Sequence, residues 1–308
     1  MSEPLYILGA GSLGLLWAAR CTRAGIDCRL ILHTAQAAAD WQARGNRVLL
    51  EEPHALSELV IPGEQAQTSR QPITRLIVAT KAWAVDTALA SLEPRLHEHC
   101  QLLLLQNGLG SQQAVSQRYP TRRVLYASVT DGAWKRTTHH VVWAGAGQTQ
   151  IGDPQQQPAP DWLDILTRAN LDWQWQPDIL PVLWLKLAIN CAINPITALH
   201  DCPNGDVPER AGASFDLLLS ELHALLASQR VRLTLAELRQ RVFGVIRATA
   251  RNSSSMRQDL HARRRTEIDF ILGHACRTAR QTGLVTPVLD AYYQQLQARL
   301  AELGLAQN

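Results

Sequence analysis

Gly9, Gly11 and Gly14 stand in G-x-G-x-x-G spacing within YILGAGSLGLLWAARCTRAG. Gly9 allows a tight strand-to-helix turn, Gly11 lets the backbone approach a pyrophosphate, and Gly14 permits close helix–strand packing. The N–H groups that open the helix then face the phosphates. Gly9, Ala10, Gly11, Ser12, Leu13 and Gly14 are therefore candidate dinucleotide contacts. The alternative is a glycine-rich turn without a ligand; the apolar strand before it and the apolar helix after it weigh against that. An NAD site places an acid about 20 positions on, at the end of the second strand, to bind the ribose 2′-hydroxyl. The segment Arg29-Leu30-Ile31-Leu32-His33-Thr34 has none, which favours a 2′-phosphate and hence NADP(H). His33 is the cation at that position, and Arg29 is an alternative at the other end of the strand.

A second group of polar residues interrupts the apolar run LPVLWLKLAINCAIN. Lys186, Asn190 and Asn194 follow one another at four-residue intervals, so at about 100° per residue they drift by only about 80° and share one helix face. Desolvation of a single cation in such a helix lowers its pKa toward a range useful for proton transfer. The stripe suits a lined cleft. It equally suits a lysine that snorkels to the surface, with asparagines that satisfy nearby backbone, and the helix alone does not choose. Pro195 removes a helical N–H and disfavours helical geometry at Asn194, so the helix should break or kink there.

Two further segments read as helix starts. Ser255 stands before Met256 and a helical run, where it can cap the turn and seat a carboxylate. Thr266-Glu267-Ile268-Asp269 has Thr266 as N-cap and Glu267 in the first turn, where the helix dipole favours an acid.

The elements that must position these residues fall into two halves. Strand-like runs at Leu5–Leu8, Cys28–Leu32, Leu76–Ala79, Leu102–Leu105, Val124–Tyr126 and His140–Trp143 alternate with amphipathic stretches at Leu13–Ala24, Ala35–Ala43, Ala82–Leu89 and Ser111–Tyr119. That alternation predicts βαβ units and a mostly parallel sheet. A helix from Asp161 to Arg168 and a last strand at Leu171–Gln176 complete it. Beyond Pro177 the pattern is helical only, with helices near Ile179–Ile193, Phe215–Ser228, Thr234–Thr249, Thr266–Gln281 and Pro287–Leu303. The predicted class is α/β, with an N-terminal Rossmann-like dinucleotide-binding domain over residues 1–176 and an all-helical substrate domain over residues 177–308.

Composition narrows the alternatives. The 308 residues are 46% apolar and 19% charged, with a net charge of +3, too small a surplus for a nucleic-acid binder. Arg263, Arg264 and Arg265 form a short basic cluster that reads as a solvated face. The six cysteines have no metal or redox spacing and read as small buried hydrophobes. Ile179 to Leu199 is about long enough to span a bilayer, but Lys186, Asn190 and Asn194 make that costly, so a buried core helix is expected. The cytoplasm is the expected compartment, with no membrane partner and no metal. Monomer and homodimer both remain open.

Short stretches in order along the whole chain resemble the 2-dehydropantoate 2-reductase (ketopantoate reductase) family. They are GAGSLG from Gly9, TKAW from Thr80, QNG from Gln106, KLAINCAINP from Lys186, CPNG from Cys202, SSM from Ser254 with Gln258-Asp259, and TEID from Thr266. The resemblance implies a Rossmann domain that binds NADPH and a helical domain that closes over it, with the substrate in the cleft between. It places Lys81, Asn107 and the backbone around Ala133 against the cofactor and makes Lys186 the proton donor. It has Asn107, Asn190, Asn194, Asn204 and Ser255 hold the substrate, and Glu267 stand near the cofactor and Lys186. Two departures stand out. Resembling enzymes often carry Arg where this chain has His33, and His or another neutral polar residue where it has Asp131.

The implied reaction is reduction of a small 2-keto acid, 2-dehydropantoate, to pantoate on the route to coenzyme A. A hydride must reach the carbonyl carbon and a proton its oxygen, so the protein needs a donor that stabilises the developing alkoxide. Lys186 suits that role, and a nearby Glu267 carboxylate would hold it protonated against desolvation. Reduction of a different 2-keto acid fits the same residues. A dinucleotide-binding regulatory protein without turnover would need the glycines but not Lys186, Asn190 and Glu267.

Overall fold

The computed structural model describes residues 3–306. They divide into two compact units: one runs to Gln106 and resumes over Ser111–Ile179, and the other holds Asn107–Gly110 and the chain from Leu180 onward. The sequence boundary at 176 differs by three residues from this division. Gln176 and Ile179 close over Gly152, where an added Cβ would lie 2.5 Å from the Gln176 carbonyl oxygen and 2.7 Å from the Ile179 Cβ.

The first unit comprises β1 (Leu5–Leu8), α1 (Ser12–Arg23), β2 (Cys28–Leu32), α2 (Ala35–Ala43), β3 (Arg47–Glu52), β4 (Ala55–Val60), β5 (Gly63–Gln65), β6 (Ile73–Val78), α3 (Val85–Leu92), β7 (Leu96–Leu104), α4 (Ser111–Arg118), β8 (Arg123–Val129), β9 (Gly132–Thr137), β10 (His140–Gly145), β11 (Thr149–Gly152), α5 (Asp164–Arg168) and β12 (Trp173–Trp175). Eight strands form one sheet in the order β12-β11-β8-β7-β6-β1-β2-β5. All its pairs are parallel except β8 with β11. β1 is buried along its whole length, which is why it reads as an unbroken apolar run. On α1, Leu15, Leu16 and Trp17 have no exposed surface, and burial of Trp17 alone contributes on the order of 3 kcal/mol.

A second, four-stranded sheet in the order β4-β3-β10-β9 packs against α1. Of its strands, the sequence pattern marks only β10. β4 and β9 are mostly exposed or half-buried, so they lack a clean apolar alternation. β5 and β11 have three and four residues, too few to show a period.

The described part of the second unit is helical: α6 (Leu180–His200), α7 (Val207–Ala211), α8 (Ser214–Ser228), α9 (Leu235–Ala248), α10 (Ser255–His261), α11 (His274–Gln281) and α12 (Pro287–Glu302). α6 is the core, packed by α8, α10 and α12. It meets the length and hydropathy of a membrane span, yet 67% of its apolar window is buried inside the protein, as a core helix should be. The break expected at Pro195 does not occur, and α6 continues to His200. Residues Cys191 to Ala198 are all buried, and this packing holds the chain helical across the missing hydrogen bond. α9 begins with a capping box between Thr234 and Glu237. The first turn of α12 is capped from α8, whose Glu221 carboxylate accepts from the Val288 and Leu289 N–H groups at 2.9 and 2.8 Å.

Candidate functional site

In the first unit the glycine-rich turn leaves the carboxyl end of β1. β1 lies between β2 and β6, where the order of the sheet reverses, the usual place for a ligand crevice. Gly9 has φ +106°, and a Cβ there would lie 3.0 Å from the Thr80 methyl. A Cβ on Gly14 would fall 2.0 Å from the Gly9 carbonyl oxygen, so only glycine allows α1 to start so close to the strand. Gly11 is the N-cap of α1, with no side chain bonded to the first-turn N–H groups and no acid among the first residues. Those donors, with Ser12 and Leu13 between them, form an open cradle that fits an anion such as a pyrophosphate.

The other expected cofactor residues of this unit are spread around it. Lys81 is half-buried just past the end of β6, at the start of a short 3-10 turn, Ala82–Ala84. His33 is exposed after β2, and the next residue, Thr34, caps α2 by accepting from the Ala37 N–H at 3.0 Å. Arg29 lies toward the other end of β2, where it pairs with Asp27 and donates to Gln71 at 2.7 Å. Ala133 is half-buried on β9. Asp131 ties the end of β10 to the turn before β9, because its carboxylate accepts from the Trp143 indole and the Gly147 N–H, both at 3.2 Å.

In the second unit Lys186, Asn107 and Glu267 come together. The Lys186 Nζ donates to the Asn107 Oδ1 at 3.0 Å. Burial among apolar neighbours draws the Lys186 pKa down to about 8, with the nearby Glu267 carboxylate pulling the other way. Glu267 is itself buried, at 6% exposure. It precedes the helix rather than lying in its first turn: helical structure begins at Ile268, and the Glu267 carbonyl accepts from the Phe270 and Ile271 N–H groups, both at 3.1 Å. Thr266 accepts from Ile268 N–H at 3.3 Å, a short local turn in place of the expected cap.

The helix then runs through a π-helical stretch, Asp269–Gly273, a widening that often marks functional sites. There the Phe270 carbonyl receives the Leu109 N–H at 2.8 Å. Gly108 has φ +79°, and a Cβ on it would lie 2.3 Å from that same carbonyl oxygen. Gly110 has φ +101°, and a Cβ on it would lie 3.0 Å from the His274 Nδ1. His274 lies against Trp184, the rings tilted by 39° with 5.4 Å between centroids, and burial, then Arg277, lowers its pKa to about 4 despite Asp269. It is neutral at pH 7.

Asn190 is half-buried and Asn194 buried on the α6 stripe, and neither amide has a side-chain partner among the described residues. Asn204 is buried and donates to Thr249 Oγ1 at 2.9 Å, while its Oδ1 is sequestered without a partner. The cap of α10 is Ser254, not Ser255: Ser254 Oγ accepts from Arg257 N–H at 3.1 Å and bonds Thr197 Oγ1 at 2.7 Å. Ser254 wins because it is the buried residue that reaches α6. Ser255 stands exposed as the first residue of the helix.

Sequence reading missed Gly108, Gly110, Phe270, His274 and Ser254. The two glycines beside Asn107 were the available signal, since closely spaced glycines mark backbone that must bend or pack closely.

Residues 5–156 match the family described as Ketopantoate reductase PanE/ApbA, and residues 178–300 match its C-terminal region. A curated relative from Vibrio cholerae serotype O1, named 2-dehydropantoate 2-reductase, is 37% identical over 295 residues, covering 95% of this chain and 96% of its own. Among solved structures, the PanE/ApbA family ketopantoate reductase from Ralstonia eutropha JMP134 superposes with a TM-score of 0.85 at 22% identity, covering 97% of this chain and 98% of its own. D-Mandelate dehydrogenase in ternary complex with NADH and anilino(oxo)acetate superposes at 0.87 with 18% identity, covering 98% of this chain and 100% of its own.

Proposed function

Because the chain belongs to the ketopantoate reductase family, we propose that it reduces 2-dehydropantoate to pantoate with NADPH and Lys186 as proton donor. The observation that carries this reading is the Lys186 amine, drawn down to about 8 and held by Asn107 beside Glu267. An ordinary lysine would hold its proton too firmly near neutral pH, whereas this one is matched to proton transfer.

NADPH, when bound at Gly9–Gly14 with Lys81 and Ala133, would supply the hydride to the C2 carbonyl carbon. Lys186 stabilises the negative charge that develops on the carbonyl oxygen and releases its proton there. Asn107 fixes the ammonium, and its amide NH₂ remains available to substrate or cofactor. Glu267 keeps the amine protonated between turnovers and would meet the cofactor's ribose. Asn190 and Asn194 offer amides to the substrate's carboxylate and hydroxyl, Ser255 offers an exposed hydroxyl, and the orphan Oδ1 of Asn204 would accept from a substrate hydroxyl. Lack of an acid after β2 favours NADPH, and His33 is its cation at that position. The partner is a small 2-keto acid, and the cytoplasm is the compartment for such a soluble biosynthetic reaction.

The test is NADPH oxidation by the purified protein, with 2-dehydropantoate beside other 2-keto acids, NADH in parallel, and a Lys186→Ala variant. NADPH-selective turnover of 2-dehydropantoate that falls about 10²- to 10⁴-fold in the variant is expected. Faster turnover of another keto acid would keep the chemistry and reassign the substrate. Tight NADPH binding without turnover of any acid would sink the proposal.

A further inference from the structure

β9 forms one edge of the four-stranded sheet, and its side chains alternate between two faces. Trp134 points outward at 39% exposure, with the Arg136 guanidinium 5.3 Å from its ring centre. Ala133 and Lys135 take the opposite face, both half-buried, and Ala133 packs on the core. α1 packs directly against this strand. From here the Lys135 Nζ reaches the glycine-rich turn and donates to the carbonyl of Ala10 at 3.0 Å.

The acceptor follows Gly9, whose positive φ shapes the turn. The bond brings the ammonium to the backbone of the turn itself. Three arginines of α1 and β2 are directed elsewhere. Arg20 donates to the Asn170 carbonyl and lies over the Trp143 ring, Arg23 pairs with Glu52, and Arg29 pairs with Asp27. With no acid in the first turn of α1, the positive charge of Lys135 adds to that of the uncapped helix start.

We propose that Lys135 is the cation of the cofactor's diphosphate site. It clamps the turn through Ala10, so that the N–H groups of Gly11 to Gly14 converge on one point, and it adds its charge to the attraction there. The inference rests on the reading that Gly9–Gly14 holds NADPH. Both functions concern the diphosphate, which NADPH and NADH share, and neither concerns the 2′-phosphate, which only NADPH carries.

Equilibrium binding of NADPH and of NADH, followed by nicotinamide fluorescence, tests this on the intact protein and on Lys135→Met, Lys135→Gln and Lys135→Arg, with thermal melts to confirm folding. Lys135→Met should weaken both dinucleotides by the same factor, about 10- to 100-fold. Lys135→Gln can still donate to Ala10 yet has no charge, and should lose nearly as much. Lys135→Arg should retain most of the affinity. Unchanged binding in a folded Lys135→Met variant overturns the proposal, and so does full affinity in Lys135→Gln. A loss confined to NADPH overturns it as well, because the lysine would then be reading the 2′-phosphate. If the unaltered protein binds neither dinucleotide, the cofactor reading itself falls.

Discussion

Lys186 and Asn107 lie 79 residues apart in sequence and 3.0 Å apart in space. The bond joins a core helix to a four-residue loop that leaves the first unit's chain to pack with the second. It gives the ammonium an oriented acceptor where burial opposes its charge, so the proton is held in a fixed direction at a moderate affinity.

The pH profile of reduction should report that affinity. The reaction uses protonated Lys186, so kcat/KM should be level below pH 8 and fall as pH rises through about 8. The Glu267 carboxylate raises this pKa, hence Glu267→Gln should move the fall to lower pH. A decline centred above pH 10, or one that Glu267→Gln leaves in place, would remove Lys186 from the role.

The same desolvation has a cost in stability. The folded pKa of about 8 lies below the ordinary value of 10.5, so between these pH values the unfolded chain binds more protons and stability rises with pH. Below pH 8 the full penalty applies. Lys186→Met should therefore be inactive yet more stable at pH 7, by on the order of 2 kcal/mol after allowance for partial exposure. Thermal melts across pH 7 to 10.5 should show the gain shrinking toward the alkaline end; a variant less stable at pH 7 would contradict it.

Gly108 and Gly283 offer a matched comparison. Both have positive φ, +79° and +72°, but an added Cβ meets the Phe270 carbonyl at Gly108 and open space at Gly283. Gly283→Ala should lose about 1 kcal/mol from backbone strain alone. Gly108→Ala should lose about 3 kcal/mol or more and also lower kcat, because the loop that carries Asn107 must shift. Equal losses in denaturant titrations, with kcat unchanged in both, would show that the loop is not held as described.

Ser254 and Ser255 should separate stability from substrate binding. Ser254→Ala removes a cap and the bond to Thr197, so the melting temperature should drop by an amount equivalent to about 1–2 kcal/mol with little change in KM. Ser255→Ala should raise KM for the keto acid and leave the melt unchanged. The opposite pattern would exchange their roles.

Much of the first unit was legible because its main sheet is built from buried apolar runs. β1, β2 and α2 occupy the spans expected from such runs and their turns. The outer sheet was not, since β3, β4 and β9 carry charged or exposed residues along much of their length. On α6 the stripe of Lys186, Asn190 and Asn194 was visible from its spacing, but its continuation through Pro195 depends on packing from other helices. The serine that caps α10 could not be chosen from three adjacent serines, because the choice depends on Thr197, 57 residues away. The π-helical stretch has no local signature either, as its carbonyl is turned toward a loop from the other half of the chain.

That loop also bears on how the protein can be divided. Asn107–Gly110 belongs by its contacts with the second unit but is synthesised well before Phe270 and His274, which cradle it. During translation these four residues emerge long before the segment that packs on them. A gene split near Ile179 would give a C-terminal fragment that lacks the acceptor for its own lysine, and adding the missing half back in trans would be needed to complete it. A circular permutant with its new ends between α5 and β12 would keep both halves on one chain, and would preserve the lysine's partner where fission would not.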